Sequence, residues 1–246
     1  MSKTKKSPLP LRILLITLSV MAAAAAAFFI CAADHYSADS TAQAMLLSDE
    51  NVTVKDTDGS LIFLPADEPA AGFIFYQGAK VEPAAYAPLM HSLAEKGVLC
   101  AAVKMPFNFA FFDINAADAV IEKYPHIKSW YIGGHSLGGS MAAEYVSHRD
   151  GIEGLVLLAS FSTADISESG TKVLSVYGTE DGVLDLDSYR KYYKNLPSET
   201  REIIIDGGNH AGFGSYGAQK GDGTASVSSA EQTKLTAEAI AEFISE

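Results

Sequence analysis

Ser136 stands in Gly134-His135-Ser136-Leu137-Gly138, after the apolar run Trp130-Tyr131-Ile132 and before the small residues Ser140 to Glu144. A serine between glycines at a strand-to-helix junction is the arrangement that exposes a nucleophilic hydroxyl. The turn holds the serine in a strained backbone conformation, and the glycines two residues to either side let strand and helix pass close together. The following helix brings its positive end and free N–H groups to where an oxyanion would form. The chemistry this suggests is acyl transfer through Ser136, with the Leu137 N–H as one oxyanion donor.

Such a serine needs a base, and there are six histidines. His35 lies in the polar stalk that follows the N-terminal apolar segment, His91 and His148 in helical stretches, His126 in a loop before a strand, and His135 beside the nucleophile, read as facing elsewhere. Only His210 follows the last strand, in the glycine-flanked loop Gly207-Gly208-Asn209-His210-Ala211-Gly212, where an imidazole of near-neutral pKa can shuttle protons. The base needs a carboxylate to fix its tautomer. Asp181, in Gly178-Thr179-Glu180-Asp181-Gly182, is the choice, with Glu180 and Asp185 as alternatives. The second oxyanion donor is expected from Gln77-Gly78-Ala79-Lys80, where Gly78 lets the backbone turn and the Ala79 N–H points at the site.

These groups require a fold that gathers strand ends. Asn51–Asp56 and Ser60–Leu64 around Asp58-Gly59 predict a β-hairpin. Buried strands are expected at Ala71–Tyr76, Val98–Val103, Ser129–Ile132, Ile152–Ala159, Lys172–Tyr177 and Arg201–Ile205. Helices are expected at Tyr86–Lys96, Asn115–Tyr124, Ser140–His148, Leu186–Asn195 and Ala230–Ser245. Strand and helix in alternation predict an α/β fold, a mainly parallel sheet with helices on both faces. Reactive groups then collect at the carboxyl ends of the strands, where Ser136, Asp181 and His210 all fall.

The chain of 246 residues, 48% hydrophobic, is long enough for one large core. Lys3, Lys5, Lys6 and Arg12 precede an uncharged stretch from Ile13 to Ala33, which reads as a transmembrane signal-anchor or an export signal at residues 1–33. Cys31-Ala32-Ala33 and Ala42-Gln43-Ala44 resemble processing sites. Residues 34–50 read as a polar stalk and 51–246 as the folded domain, outside the cytoplasm or secreted if the segment is cleaved. Beyond the basic flank, 14 basic residues face 30 acidic ones, a charge of −16. That acidity argues against nucleic acid as a partner. Cys100, in an apolar run, reads as a buried strand residue. No spacing of histidines, cysteines or glycines suggests a metal or cofactor.

Two aromatic regions remain. Gly212–Thr224, rich in glycine, reads as an irregular loop, either on the substrate side with Phe213 or Tyr216 lining a pocket, or plain surface. Phe107-Asn108-Phe109-Ala110-Phe111-Phe112 reads as an acyl-pocket wall, a core piece or a membrane-facing patch. Between strands, Ser160–Gly170 is too short for a helical lid.

Taken in order, Phe75-Tyr76-Gln77-Gly78, Gly134-His135-Ser136-Leu137-Gly138, Gly178-Thr179-Glu180-Asp181 and Gly208-Asn209-His210 resemble the α/β-hydrolases, and among them the small, lidless, dienelactone-hydrolase-like group. The resemblance covers roughly Asn51 to Glu246. It implies a carboxylesterase-like serine hydrolase acting on a small acyl substrate; Gln77 and Phe107, which follow strand ends, are candidate pocket residues. Gln77-Gly78 departs from the family's usual His-Gly, and Ser136 from the cysteine of true dienelactone hydrolases. An acyltransferase using the same residues and a non-catalytic binding protein on the same fold are the alternatives.

Overall fold

The computed structural model describes residues 9–246, and Lys3, Lys5 and Lys6 lie outside them. The described chain forms two units that divide between His35 and Tyr36. The first is a helix, α1 (Leu9–Ala33), which begins earlier than the uncharged stretch and takes in Arg12. Its apolar part, Leu9–Ile30, has a mean hydropathy of 2.5. At 1.5 Å per residue these 22 residues span about 33 Å, so by length and composition the helix could cross a bilayer.

The second unit is an eight-stranded sheet in the order β1-β2-β4-β3-β5-β6-β7-β8. The strands are β1 (Val52–Asp56), β2 (Ser60–Pro65), β3 (Ala71–Tyr76), β4 (Val98–Val103), β5 (Trp130–His135), β6 (Ile152–Leu158), β7 (Lys172–Gly178) and β8 (Arg201–Ile205). The first two form the expected antiparallel hairpin, with Thr57 and Ser60 paired across Asp58-Gly59. From β4 to β8 all neighbours are parallel. The helices are α2 (Ser40–Ala44), α3 (Ala87–Glu95), α4 (Ala117–Lys123), α5 (Leu137–Ser147), α6 (Leu186–Tyr192) and α7 (Ser229–Ser245).

The two-residue period of β3 divides its side chains between two cores. Phe73 and Phe75 join Met90 and Leu93 of α3 and Ile240 and Phe243 of α7 on one face. Ile74 and Tyr76 join Val120 of α4 and Ala142, Tyr145 and Val146 of α5 on the other. Burial on both faces explains why β3, β4 and β5 are almost continuously apolar, and Cys100 is buried within β4 as expected. After β3 the chain turns outward to β4, then returns to place β5 on the other side. The carboxyl ends of β3 and β5 therefore flank a topological switch point, where loops diverge and leave a crevice.

The stalk expected at residues 34–50 is not what forms from Tyr36 onward. Tyr36 pairs with Val81, donating to the Lys80 carbonyl (2.7 Å) and accepting from Glu82 N–H (3.0 Å). Asp39 caps α2 by accepting from Ala42 N–H (3.0 Å), and Ala42 is wholly buried. Alanine-rich polar sequence reads as linker, but alanine is small enough to seat a capped turn against a core.

Candidate active site

β5 delivers Ser136 with φ +53° and ψ −122°, a conformation that costs a non-glycine residue strain. Helix α5 starts at Leu137, three residues earlier than its sequence predicted, so the Leu137 N–H lies in the first helical turn. The glycines make this possible by contact. A Cβ on Gly134 would lie 2.5 Å from the Gly138 carbonyl carbon, and one on Gly138 would lie 2.1 Å from the Tyr76 carbonyl oxygen. Beneath the turn, Ser160 donates to the Ser136 carbonyl (2.7 Å) and Ser136 N–H donates to Leu158 (2.9 Å).

The loop after β3 crosses in front of α5. Gln77 is fully buried, with its amide oriented to donate to the Val103 carbonyl (2.5 Å) and accept from Met105 N–H (3.3 Å). It ties the loop to the end of β4 and does not face an open pocket, because a buried amide is costly unless its bonds are made. Gly78 N–H donates to Tyr86 Oη (3.0 Å), whereas Ala79 N–H has no acceptor among the described residues.

Across the crevice, His210 Nδ1 lies 2.9 Å from Asp181 Oδ2, and both side chains are 1% exposed. Asp181 Oδ1 also accepts the Val183 and Leu184 N–H groups (2.9 and 2.8 Å), so its lone pairs are well engaged. The alternatives for the acid are placed otherwise: Glu180 is exposed, and Asp185 caps α6 through Asp187, Ser188 and the Ser188 hydroxyl. His210 Nε2 is buried with no hydrogen-bond partner, and no hydrogen bond joins it to Ser136 Oγ.

Asp222 went unremarked in the sequence, inside a glycine-rich stretch. Its Oδ1 accepts from Gly182, His210 and Gly223 N–H (3.1, 3.2 and 2.8 Å), and its Oδ2 from Ala211 N–H (2.8 Å). One carboxylate thus braces the loops that carry Asp181 and His210 together. Its only sequence signal was an aspartate between glycines, Gly221-Asp222-Gly223, a pattern common in turns.

His135 does not face away from the site. Its ring is buried, with centroids 4.4 Å from His210 and 5.8 Å from Phe213. Burial first, and then the neighbouring His210, hold its pKa well below the usual histidine range, against a backbone contact with His210 that favours the charged form. Phe213 and Tyr216 are buried in the core beneath His210, where rings of that size gain most, and Ala211–Phe213 form a short 3-10 turn where irregular loop was expected. Phe107 is 46% exposed, with φ +57°, in a cluster with Phe112 and the rings of Phe109 and Phe111. This aromatic loop is bonded to the loop after β3 by Lys80 N–H donating to the Asn108 carbonyl (2.8 Å).

Other features lie apart from these groups. Asp49, His91 and Glu95 could supply ligand atoms within 4.8 Å of one another. However, Asp49 faces Nε2 of His91 (3.4 Å) and Glu95 faces Nδ1 (3.8 Å), so the carboxylates bracket the ring from two sides. A cavity of about 510 Å³ opens by Lys172 and Arg201, at the opposite ends of β7 and β8 from the site, and holds none of the residues above.

A mostly parallel sheet with a strained serine leading into a helix, and a histidine–carboxylate pair on later strand ends, is the framework of a hydrolase. The chain belongs to the alpha/beta hydrolase family, which it matches over residues 72–234. No curated protein sequence matches it. Among solved structures it is similar to Est1E from Butyrivibrio proteoclasticus, at 16% identity and TM-score 0.55, over 79% of this chain and 97% of that one. It is also similar to TT1662 from Thermus thermophilus, at 12% identity and TM-score 0.61, over 80% and 99%. The esterase domain of a Rhodothermus marinus protein aligns at 12% identity and TM-score 0.57, over 78% and 96%. At these identities the likeness is one of fold.

Proposed function

We propose that this protein is a serine hydrolase cleaving a carboxylic ester or related acyl compound. The observation that carries the reading is His210: Nδ1 is bound to the buried Asp181 carboxylate, Nε2 is left without a partner, and the ring lies 4.4 Å from that of His135, the residue before the strained Ser136. An imidazole held by one nitrogen has the other for a reacting proton.

Ser136 Oγ attacks the substrate carbonyl carbon while His210 Nε2 takes its proton, and Asp181 stabilises the imidazolium. The carbonyl oxygen gains charge and is received by Ala79 N–H and Leu137 N–H. His210 returns the proton to the leaving alcohol, giving an acyl-enzyme. Water attacks that ester with His210 as base, releasing the acid and restoring Ser136. The connection from β6 to β7 has no helix to cover the site, which supports an open, lidless pocket for a small substrate. The apolar helix α1 supports membrane anchoring with the catalytic unit outside the cytoplasm.

Labelling with a fluorophosphonate and mapping the adduct tests the nucleophile, with the adduct expected on Ser136. Ser136→Ala is expected to lower p-nitrophenyl acetate turnover on the order of 10⁴–10⁶-fold. An adduct elsewhere, or unchanged turnover in the variant, overturns the reading. Membrane fractionation tests the anchor: intact protein in the pellet supports it, and a soluble form starting near Asp34 or Met45 refutes it.

A further inference from the structure

Tyr86 is wholly buried between the sheet and the base loop, and its hydroxyl touches both halves of the site. It accepts from Gly78 N–H (3.0 Å) and lies 2.9 Å from His135 Nδ1. The ring is held at 4.7 Å from Phe75, and the adjacent Ala85 carbonyl accepts from Ser215 N–H (2.8 Å) in the chain that follows His210. We propose that Tyr86 is a positioning residue of the hydrolase site, which fixes the Gln77–Lys80 loop against the Ser136 turn by locking His135 in its neutral Nε2–H form. This rests on the reading of Ser136 and Ala79 given above.

The argument is one of proton inventory. A backbone N–H can only donate, so Gly78 uses one lone pair of Oη. The phenol has one proton and the fold offers His135 Nδ1 as its acceptor. Donation from Oη to Nδ1 satisfies Gly78 N–H, Oη and Nδ1 and leaves the ring proton on Nε2, buried without a full hydrogen bond but facing the His210 backbone, whereas the reverse arrangement leaves the phenol proton buried with no bond at all. Nδ1 is therefore unprotonated and the His135 proton resides on Nε2. Burial pushes the Tyr86 phenol up, with the Gly78 bond opposing, so Tyr86 keeps its proton throughout the neutral range.

The lock matters for two reasons. His135 is the residue before the nucleophile, and Gly78 the residue before the proposed oxyanion donor Ala79, so Tyr86 sets the distance between the two halves of that hole. In addition, the His135 ring lies 4.4 Å from His210, and a second imidazolium there would oppose protonation of the base during turnover. Gly78 is glycine for the same contact. A Cβ on it would lie 2.9 Å from His135 Nδ1 and 3.0 Å from Tyr86 Oη.

The wild-type protein carries the first test. Nitrogen-15 spectra of His135 from pH 5.5 to 8 should show an acceptor-type Nδ1 and a protonated Nε2 throughout, whether or not any ester is turned over. A protonated Nδ1 overturns the proposal without touching the hydrolase reading. Tyr86→Phe keeps the ring and removes both bonds. It should lower kcat for p-nitrophenyl acetate by about 10- to 100-fold with little change in KM, and the His135 nitrogens should then shift toward a tautomer mixture. Unchanged kcat and unchanged His135 shifts in a folded Tyr86→Phe overturn the proposal while Ser136→Ala still tests the hydrolase. Should Tyr86→Phe not fold, Gly78→Ala is expected to give the same kcat loss and tautomer shift, and wild-type values in it refute the lock.

Discussion

The two sides of the candidate site are built by different means. The Ser136 side is made of backbone pressed on backbone: Gly134 and Gly138 bring β5, α5 and the end of β3 within distances that no side chain tolerates. The His210 side is made of carboxylates reaching across long sequence separations, Asp222 to the Gly182 N–H and Asp181 to the His210 ring. Steric construction fixes Ser136 with little freedom, because a clash cannot be relaxed without moving a strand. Hydrogen-bonded construction holds His210 in loops, where each bond is worth about 1 kcal/mol or somewhat more when charged, and several must act together.

The sharpest way to break this comparison is Gly138→Ala. The added methyl meets the Tyr76 and Gln77 carbonyl oxygens at 2.1 and 2.4 Å, and neither belongs to a flexible side chain. A loss of at least about 3 kcal/mol is expected, seen as a fall in Tm of roughly 6–12 °C for a chain of this size. Gly59→Ala, where a Cβ meets nothing within 4 Å, is the control and should melt close to wild type. A Gly138→Ala protein as stable as that control would mean that the turn is not built by contact.

On the other side, Asp222→Ala removes the acceptor of four N–H groups at once. Ester turnover should drop by about 100-fold through misplacement of His210 and Asp181. Asp222→Asn, which can still accept through one oxygen but presents an NH₂ group in place of the other, should lose about tenfold. Full activity in Asp222→Ala would show that the base loop holds itself.

This contrast also explains what could be read from the chain. The Ser136 turn was legible because its signal is local: glycine, serine and glycine between an apolar strand and a helix. Asp181 and His210 were legible one step later, because strand and helix alternate cleanly and strand ends can be counted. Asp222 and Tyr86 were not, since all but one of their partners are 8 to 49 residues away and nothing in a local pattern marks an aspartate between glycines or a tyrosine opening a helix. The start of α5 was missed for a related reason. Leu137-Gly138-Gly139 has poor helix propensity, and close packing, not propensity, makes it helical. Residues 36–50 were misread because a short capped turn on a core has the composition of a linker.

A milder probe uses acid. His135 is held neutral by burial, with a folded pKa below the 6.5 of an exposed histidine. As pH falls through 6.5 the unfolded chain takes up a proton that the native state refuses. Stability from this residue is thus complete above 6.5 and is lost on acidification, at up to about 1.4 kcal/mol per pH unit. His135→Asn, whose carbonyl can accept from Tyr86, has no proton to take up. Its stability difference from wild type should narrow between pH 7 and 5, and a difference independent of pH would contradict a buried neutral His135.

The smallest effect is expected at Asp39. Its side chain caps α2 and helps to seat Ala42, in the same manner as the carboxylates beside His210 but without bonding Asp181 or His210. Asp39→Ala should cost about 1 kcal/mol, a Tm shift of roughly 2–4 °C, and leave kcat and KM for p-nitrophenyl acetate unchanged. A side-chain brace of this kind then alters catalysis only where it holds the acid and the base. Should Asp39→Ala depress turnover as Asp222→Ala does, residues 36–50 would act on the site through Tyr36 and its pairing with the Lys80–Glu82 backbone, and the division into a steric side and a hydrogen-bonded side would have to include the N-terminal segment.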